Sequence, residues 1–295
     1  MKPRSLLGTF MWLAFAVLSA FFAGITAVLS KVGVRNVNSN LGTAIRTIVV
    51  FAFSWLMVFV VGAQGGVREI STKTLVFLVL SGFATGASWL CYFRALKYGN
   101  VNKVAPIDKS STILTMLLAF AFLHEQLTPL KAVCIVLIGA GTYMMIEKKS
   151  TGQNTSEKSG WLIWAVLSAV FAALTSILGK IGISDINSTL GTAIRTFVVL
   201  IMAWVVVFVT GSGNAKGITG KDFVFLVLSG ITTGLSWLCY YKALKDGQAT
   251  VVVPIDKLSI LVTIAFSYVA LGERLTKKSL CGLVLLVGGT LLLIV

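Results

Sequence analysis

Charge is what this chain has least of. Only 12% of its 295 residues are Asp, Glu, Lys or Arg, and just 10 of those are acidic. Soluble domains carry about 25% charged residues, so an ordinary water-wetted surface is excluded. Histidine is almost absent too: His124 stands alone. Metal and acid–base chemistry needs several such groups at fixed spacing, so nothing here suggests a catalytic or metal centre, and no cofactor is expected. The four cysteines, Cys91, Cys134, Cys239 and Cys281, fall inside apolar runs rather than in loops, so structural disulfides are not expected. Proline is also scarce, at four residues, which leaves long helices uninterrupted.

What fills the chain is apolar sequence, 57% of residues, with a mean hydropathy of +0.93. Crossing a bilayer takes about 20 such residues in a helix. Runs of that size recur at 9–30, 41–62, 74–94, 104–123, 129–146, 161–181, 190–210, 222–243, 250–271 and 277–295. The expectation is an all-α integral membrane protein of ten transmembrane helices, with little chain left over for a soluble catalytic domain. The first run follows Met1-Lys2-Pro3-Arg4 but lacks a small-residue cleavage site, and it reads as a retained helix. A net charge of +15 sits mostly at span ends, where lysine and arginine meet lipid headgroups. The expected partner is therefore a lipid bilayer, not nucleic acid.

The sequence repeats itself. At an offset of 149 residues, Leu41-Gly42-Thr43-Ala44-Ile45-Arg46-Thr47 is identical to Leu190-Gly191-Thr192-Ala193-Ile194-Arg195-Thr196. At an offset of 148, Trp89-Leu90-Cys91-Tyr92 matches Trp237-Leu238-Cys239-Tyr240, and Pro106-Ile107-Asp108-Lys109 matches Pro254-Ile255-Asp256-Lys257. The expected domains are a first five-helix repeat over 9–147, a polar linker over 148–160 and a second repeat over 161–295. An odd number of spans makes the second repeat enter from the opposite side. Inverted repeats of this kind are a construction of secondary carriers, in which the halves exchange conformations around a midplane site.

Polar residues line up within the apolar spans. Ser81, Thr85, Ser88 and Tyr92 share one helical face, repeated as Ser229, Thr233, Ser236 and Tyr240. Asp108, Ser111, Thr112 and Thr115 form another, repeated as Asp256, Ser259 and Thr263. Ser19, Thr26 and Ser30 make a weaker stripe in the first span. These faces, with Arg46 and Arg195, predict a hydrated central cavity. A single hydroxyl is more often helix-packing glue, but ionisable groups at membrane depth face protein or water. The candidate substrate-binding residues are Arg46, Ser88, Trp89, Tyr92, Asp108, Lys109, Ser111, Thr115, Arg195, Ser236, Trp237, Tyr240, Asp256, Lys257, Ser259 and Thr263. Lys109 or Lys257 would meet an anionic solute. Asp108 or Asp256 would hold an arginine or accept a coupling proton, and a structural ion-pair network is the alternative for all four. Gly82, Gly86, Gly230 and Gly234 read as helix-packing contacts, and Glu125 and Glu273 as structural charges at helix starts. Pro106 and Pro254, at matching positions, read as prolines in a helix's first turn, with broken helices beside a site as the alternative.

These motifs, together with His124-Glu125-Gln126-Leu127-Thr128 and its partner Gly272-Glu273-Arg274-Leu275-Thr276, resemble the EamA type of the drug/metabolite transporter superfamily over nearly the whole chain. The resemblance implies a ten-helix carrier with cytoplasmic termini in the plasma (inner) membrane and a cavity lined by helices one to four and six to nine. The lysine and arginine count favours the opposite sidedness. His124 departs from the glycine more usual before the glutamate. The function expected is alternating-access transport, in the direction of export, of a small polar or amphipathic metabolite or drug, such as an amino acid or another anionic or zwitterionic solute. An integral-membrane enzyme and a non-transporting scaffold are the competing readings.

Overall fold

A computed structural model describes residues 6–33, 37–98, 104, 107–145, 160–215, 218–271 and 276–294. Pro106, Glu273 and residues 148–159 of the expected linker lie outside them. The described residues form α1 (Leu6–Gly33), α2 (Ser39–Val60), a 3-10 helix (Ala63–Glu69), α3 (Thr72–Tyr98), α4 (Ser111–Leu123) and α5 (Pro129–Met145). There follow α6 (Trp161–Gly182), α7 (Ser188–Thr210), α8 (Gly220–Asp246), α9 (Ala249–Lys257), α10 (Ser259–Leu271) and α11 (Lys277–Leu292).

Local chemistry sets the helix ends. Asn38 and Asn187, equivalent in the two repeats, each cap their helix by accepting a backbone N–H two residues on. Gly62 and Gly211 stop the same helices in the left-handed region, at φ 69° and 64°. Thr219 and Asp222 form a reciprocal capping box on α8. Among the described residues seven helical stretches are long and apolar enough to cross a membrane.

Two expected spans are interrupted. The ninth divides at Leu258, whose N–H turns to Ile255 O at 2.9 Å. Pro254 is the sixth residue of α9 rather than part of a first turn, and it withdraws a donor from the helix just before the break. In the fourth span, Ser110 occupies the position equivalent to Leu258. There the residues 107–109 are helical, Ser110 N–H and Oγ–H both donate to Ile107 O, and α4 begins only at Ser111. Both breaks fall directly after the Asp-Lys pair.

The packing forms two compact units that are not the two sequence repeats. One comprises Met1–Gly86, Leu178–Gln248 and Ile255–Glu273; the other comprises Ala87–Ile177, Ala249–Pro254 and Arg274–Val295. Each draws on both repeats. In the first unit α1 packs on α8 and α10, and α2 packs on α7 and α8. Gly82 lies against Val198 and Gly230 against Val49, positions where a Cβ would collide, so these glycines serve close helix approach as expected. In the second unit α5 packs on α11, with Gly141 set against the backbone of Gly282 and Leu286.

Burial is inverted relative to a soluble protein. Phe208 and Val209 are 77% and 70% exposed, whereas Ser19, Ser81, Ser168 and Ser229 are fully buried. Water would penalise so much outward apolar surface; acyl chains do not.

Candidate functional site

Two serine–carboxylate clusters occupy corresponding positions. In the first unit Ser19 of α1 donates to Asp256 Oδ1 at 2.7 Å, and Ser236 of α8 donates to the Ser19 carbonyl at 3.1 Å. In the second unit Ser168 of α6 donates to Asp108 Oδ1 at 3.0 Å, and Ser88 of α3 donates to the Ser168 carbonyl at 3.0 Å. The repeat offset carries one set onto the other residue by residue. Each cluster joins the first helix of one repeat to the third and fourth spans of the other. Ser168 was not a sequence candidate, although its equivalence to Ser19 was the signal that could have found it.

Arg195 of α7 has a distinct environment. It is 2% exposed; its Nε–H donates to Ser81 Oγ at 2.8 Å and its Nη2–H donates to Thr85 Oγ1. The guanidinium lies 5.2 Å from the Trp237 ring centroid and 4.9 Å from that of Tyr241. Its third nitrogen, Nη1, is buried with no hydrogen-bond partner. Arg46, the equivalent in α2, is half-buried and donates to Ser30 Oγ at 2.6 Å. The difference comes from two substitutions between the repeats. Gly179 stands where the first repeat has Ser30, and Tyr241 where it has Phe93. Gly179 leaves no side chain in the way of the Tyr241 ring, which takes the space beside Arg195.

Among the described residues no arginine–aspartate pair joins these groups: hydroxyls meet Arg46, Asp108, Asp256 and two of the three guanidinium nitrogens of Arg195 instead. Ser and Thr fit this role because one hydroxyl can accept from a guanidinium and still donate to a carbonyl, as Thr85 does to Ser81 O at 3.0 Å. Lys109 is exposed rather than buried, and Lys257 is half-buried, both immediately before the helix breaks. Trp89, Tyr92, Trp237, Tyr240, Ser111, Ser259 and Thr263 are half-buried, while Thr115 is buried. Thr115 and Thr263 donate back to the carbonyls of Ser111 and Ser259, so their hydroxyl protons are used within their own helices. Ser88, Asp108 and their companions are thus brought together within one unit, and Arg195, Trp237, Ser236 and Asp256 within the other.

Glu125 reaches further than its sequence context suggested. Its carboxylate accepts the backbone N–H groups of Ala249 and Thr250, at 2.6 and 3.0 Å, and the Thr250 hydroxyl at 2.7 Å. It therefore caps α9, in the other repeat, rather than the helix that follows it; Thr128 takes that second role, accepting from Lys131 N–H. His124 is the only non-glycine residue among those described with positive φ, 52°, a conformation that glycine adopts most readily, and the equivalent position in the second repeat is Gly272. The left-handed turn carries Glu125 out of α4 and towards α9.

The EamA-like transporter family matches residues 10–147 and again 159–295. An uncharacterized transporter in the cobO 3′ region of Sinorhizobium sp is 45% identical over 136 residues, 46% of this chain and 96% of that relative. The uncharacterized transporter YxxF of Bacillus subtilis (strain 168) is 24% identical over 245 residues, spanning 82% of this chain and 76% of its own length. A solved crystal structure shares the fold at a TM-score of 0.74 and 16% identity, over 98% of this chain and 97% of that one. With two family matches spanning both halves and a polar interior inside an apolar exterior, this chain belongs to the EamA-like transporter family and is a multi-pass membrane transporter.

Proposed function

We propose that the protein is an alternating-access carrier that exports a small anionic or zwitterionic metabolite. The observation that carries this reading is Arg195: a buried guanidinium with two hydroxyl partners, two aromatic walls and one nitrogen, Nη1, without a partner. A buried charge without a counter-ion is costly, by several kcal/mol per ion, and a solute carboxylate or phosphate would supply the missing acceptor. Asp256, held by Ser19 in the same unit, would receive an ammonium group or the coupling proton.

In this reading the chain crosses the membrane ten times, as two inverted five-helix repeats over 9–147 and 161–295 around a central cavity. The short helices α4, α5 and α11 are then spans as well. The residue-by-residue equivalence of the two serine–carboxylate clusters supports the duplication, and the helix breaks after Asp108-Lys109 and Asp256-Lys257 support a site at those depths. The remaining candidates, Arg46, Ser88, Trp89, Tyr92, Ser111, Thr115, Ser236, Trp237, Tyr240, Ser259 and Thr263, would border the path. Export, the inner membrane and cytoplasmic termini follow from the family resemblance.

Counterflow into proteoliposomes with a panel of α-amino acids and small carboxylates tests this. A panel solute should exchange, and Arg195→Met and Asp256→Asn should abolish that exchange in folded protein. Wild-type exchange by both variants would remove the site assignment; exchange of cations alone would remove the substrate class.

A further inference from the structure

The second span of each copy crosses the third span of the other in the same way. Gly82 of α3 lies against Val198 of α7, with Arg195 O also close; Gly230 of α8 lies against Val49 of α2, with Arg46 O also close. One turn on, Gly86 faces Met202 and Gly234 faces Phe53, again at equivalent positions. The matched crossings set Arg46 opposite Ser229 and Thr233, as Arg195 is set opposite Ser81 and Thr85. Only Arg195 uses its hydroxyl pair.

Arg46 donates instead to Ser30 Oγ of α1. Ser229 and Thr233 are buried, donate to Leu226 O and Ser229 O at 2.8 and 2.6 Å, and receive no N–H from a described arginine. A hydroxyl that donates to its own helix can still accept, as Thr85 does from Arg195. The second seat is therefore built but unused. Because the backbone around it already matches the filled one, filling it takes only a turn of the Arg46 side chain. A Cβ on Gly179 would lie 3.1 Å from Ser81 Oγ; Ser30 carries a side chain at the corresponding place, next to Ser229, so the move is short. Seating would cost the half-buried guanidinium its remaining exposure and gain it two charge-assisted hydrogen bonds. Those terms oppose each other, so a single acceptor decides between the two positions.

We propose that Arg46 and Arg195 seat alternately: Arg195 on Ser81 and Thr85 in this state, Arg46 on Ser229 and Thr233 in the oppositely open one, with Ser30 as the positioning residue that holds Arg46 off its seat. This rests on the alternating-access reading given above, in which inverted repeats exchange conformations and each copy takes up the arrangement its twin now has. The exchange is unequal in one respect. Arg46 off its seat has Ser30, whereas Arg195 off its seat would meet Gly179, and the acceptor missing there is the one a solute anion supplies.

The Nε–H groups report the seats, because Arg195 Nε–H donates to Ser81 while Arg46 reaches Ser30 through Nη1. In the full chain in lipid nanodiscs, NMR of isotope-labelled arginine side chains measures solvent exchange at each Nε–H, with Arg46→Met and Arg195→Met assigning the signals. The parent should show protection at Arg195 and not at Arg46. Ser30→Ala should raise protection at Arg46 and lower it at Arg195, each about tenfold or more, as expected when one charge-assisted hydrogen bond stops favouring one state. Ser30→Gly, which copies the twin's residue, should do the same. Adding Ser229→Ala and Thr233→Val to Ser30→Ala should cancel the shift. An Arg46 that stays unprotected in both Ser30 variants, or protection on both arginines together, overturns the alternation. Solute exchange in a protein without the shift overturns the alternation and leaves the carrier reading standing. The shift in a protein that exchanges no panel solute supports the alternation and overturns the carrier reading.

Discussion

Replacing Arg195 with methionine separates a solute-binding arginine from a structural one. The side chain makes two charge-assisted hydrogen bonds, to Ser81 and Thr85, and two ring contacts, with Trp237 and Tyr241. Each such hydrogen bond contributes about 1.5–3 kcal/mol, and each desolvated ring contact roughly 0.5–2 kcal/mol. Against them stands the desolvation of a guanidinium that is 2% exposed, which costs several kcal/mol. The two sides are similar in size, so Arg195→Met should melt within about 2 kcal/mol of the parent protein. Thr85 keeps its bond to the Ser81 carbonyl when the arginine is gone. The loss should appear instead in binding. A solute anion on Nη1 would make one charge-assisted bond, and without it affinity should fall on the order of 10- to 150-fold. Thermal melting of the detergent-solubilised protein, with and without the panel solute that stabilises the parent, reads both quantities. A variant that keeps the parent's affinity, or that unfolds several kcal/mol more easily without solute, would refute the argument.

Other outcomes follow from single contacts. Glu125→Ala removes the acceptor for two backbone donors and one hydroxyl at the start of α9. It should cost about 2–4 kcal/mol and speed hydrogen exchange at Ala249 and Thr250. His124→Gly relieves a left-handed side chain at φ 52° and should stabilise by about 0.5–1 kcal/mol, read as a higher melting temperature. Gly141→Val drives a branched side chain into the backbone of Gly282 and Leu286. Because backbone cannot yield as a rotamer can, a loss of about 3 kcal/mol is expected in the same assay.

Much of the helical framework was legible because lipid imposes a strong length and polarity code. The spans expected at 161–181 and 190–210 emerge as Trp161–Gly182 and Ser188–Thr210. Breaks were harder to read. Pro254 is visible in the sequence, but its counterpart break at Ser110 rests on a serine folded onto Ile107 O, a choice that hydropathy does not record. The site was legible as polar faces and not as partnerships. Periodicity put Asp108, Asp256, Arg46 and Arg195 inside the membrane, yet which helix meets which is a tertiary matter. Charge alone suggested ion pairs where hydroxyls prevailed. Ser168 and Tyr241 were accessible only through the comparison of the repeats, one as the image of Ser19 and the other as the departure from Phe93.

The crossed serine–carboxylate clusters bear on how such a protein could have arisen. Because Ser19 answers to Asp256 and Ser168 to Asp108, neither copy holds a finished cluster by itself. An ancestral chain with a single copy would have had to borrow the missing carboxylate from a second molecule. Fusion of two genes would then have secured the partnership and left the copies free to differ, as Gly179 and Tyr241 do from Ser30 and Phe93.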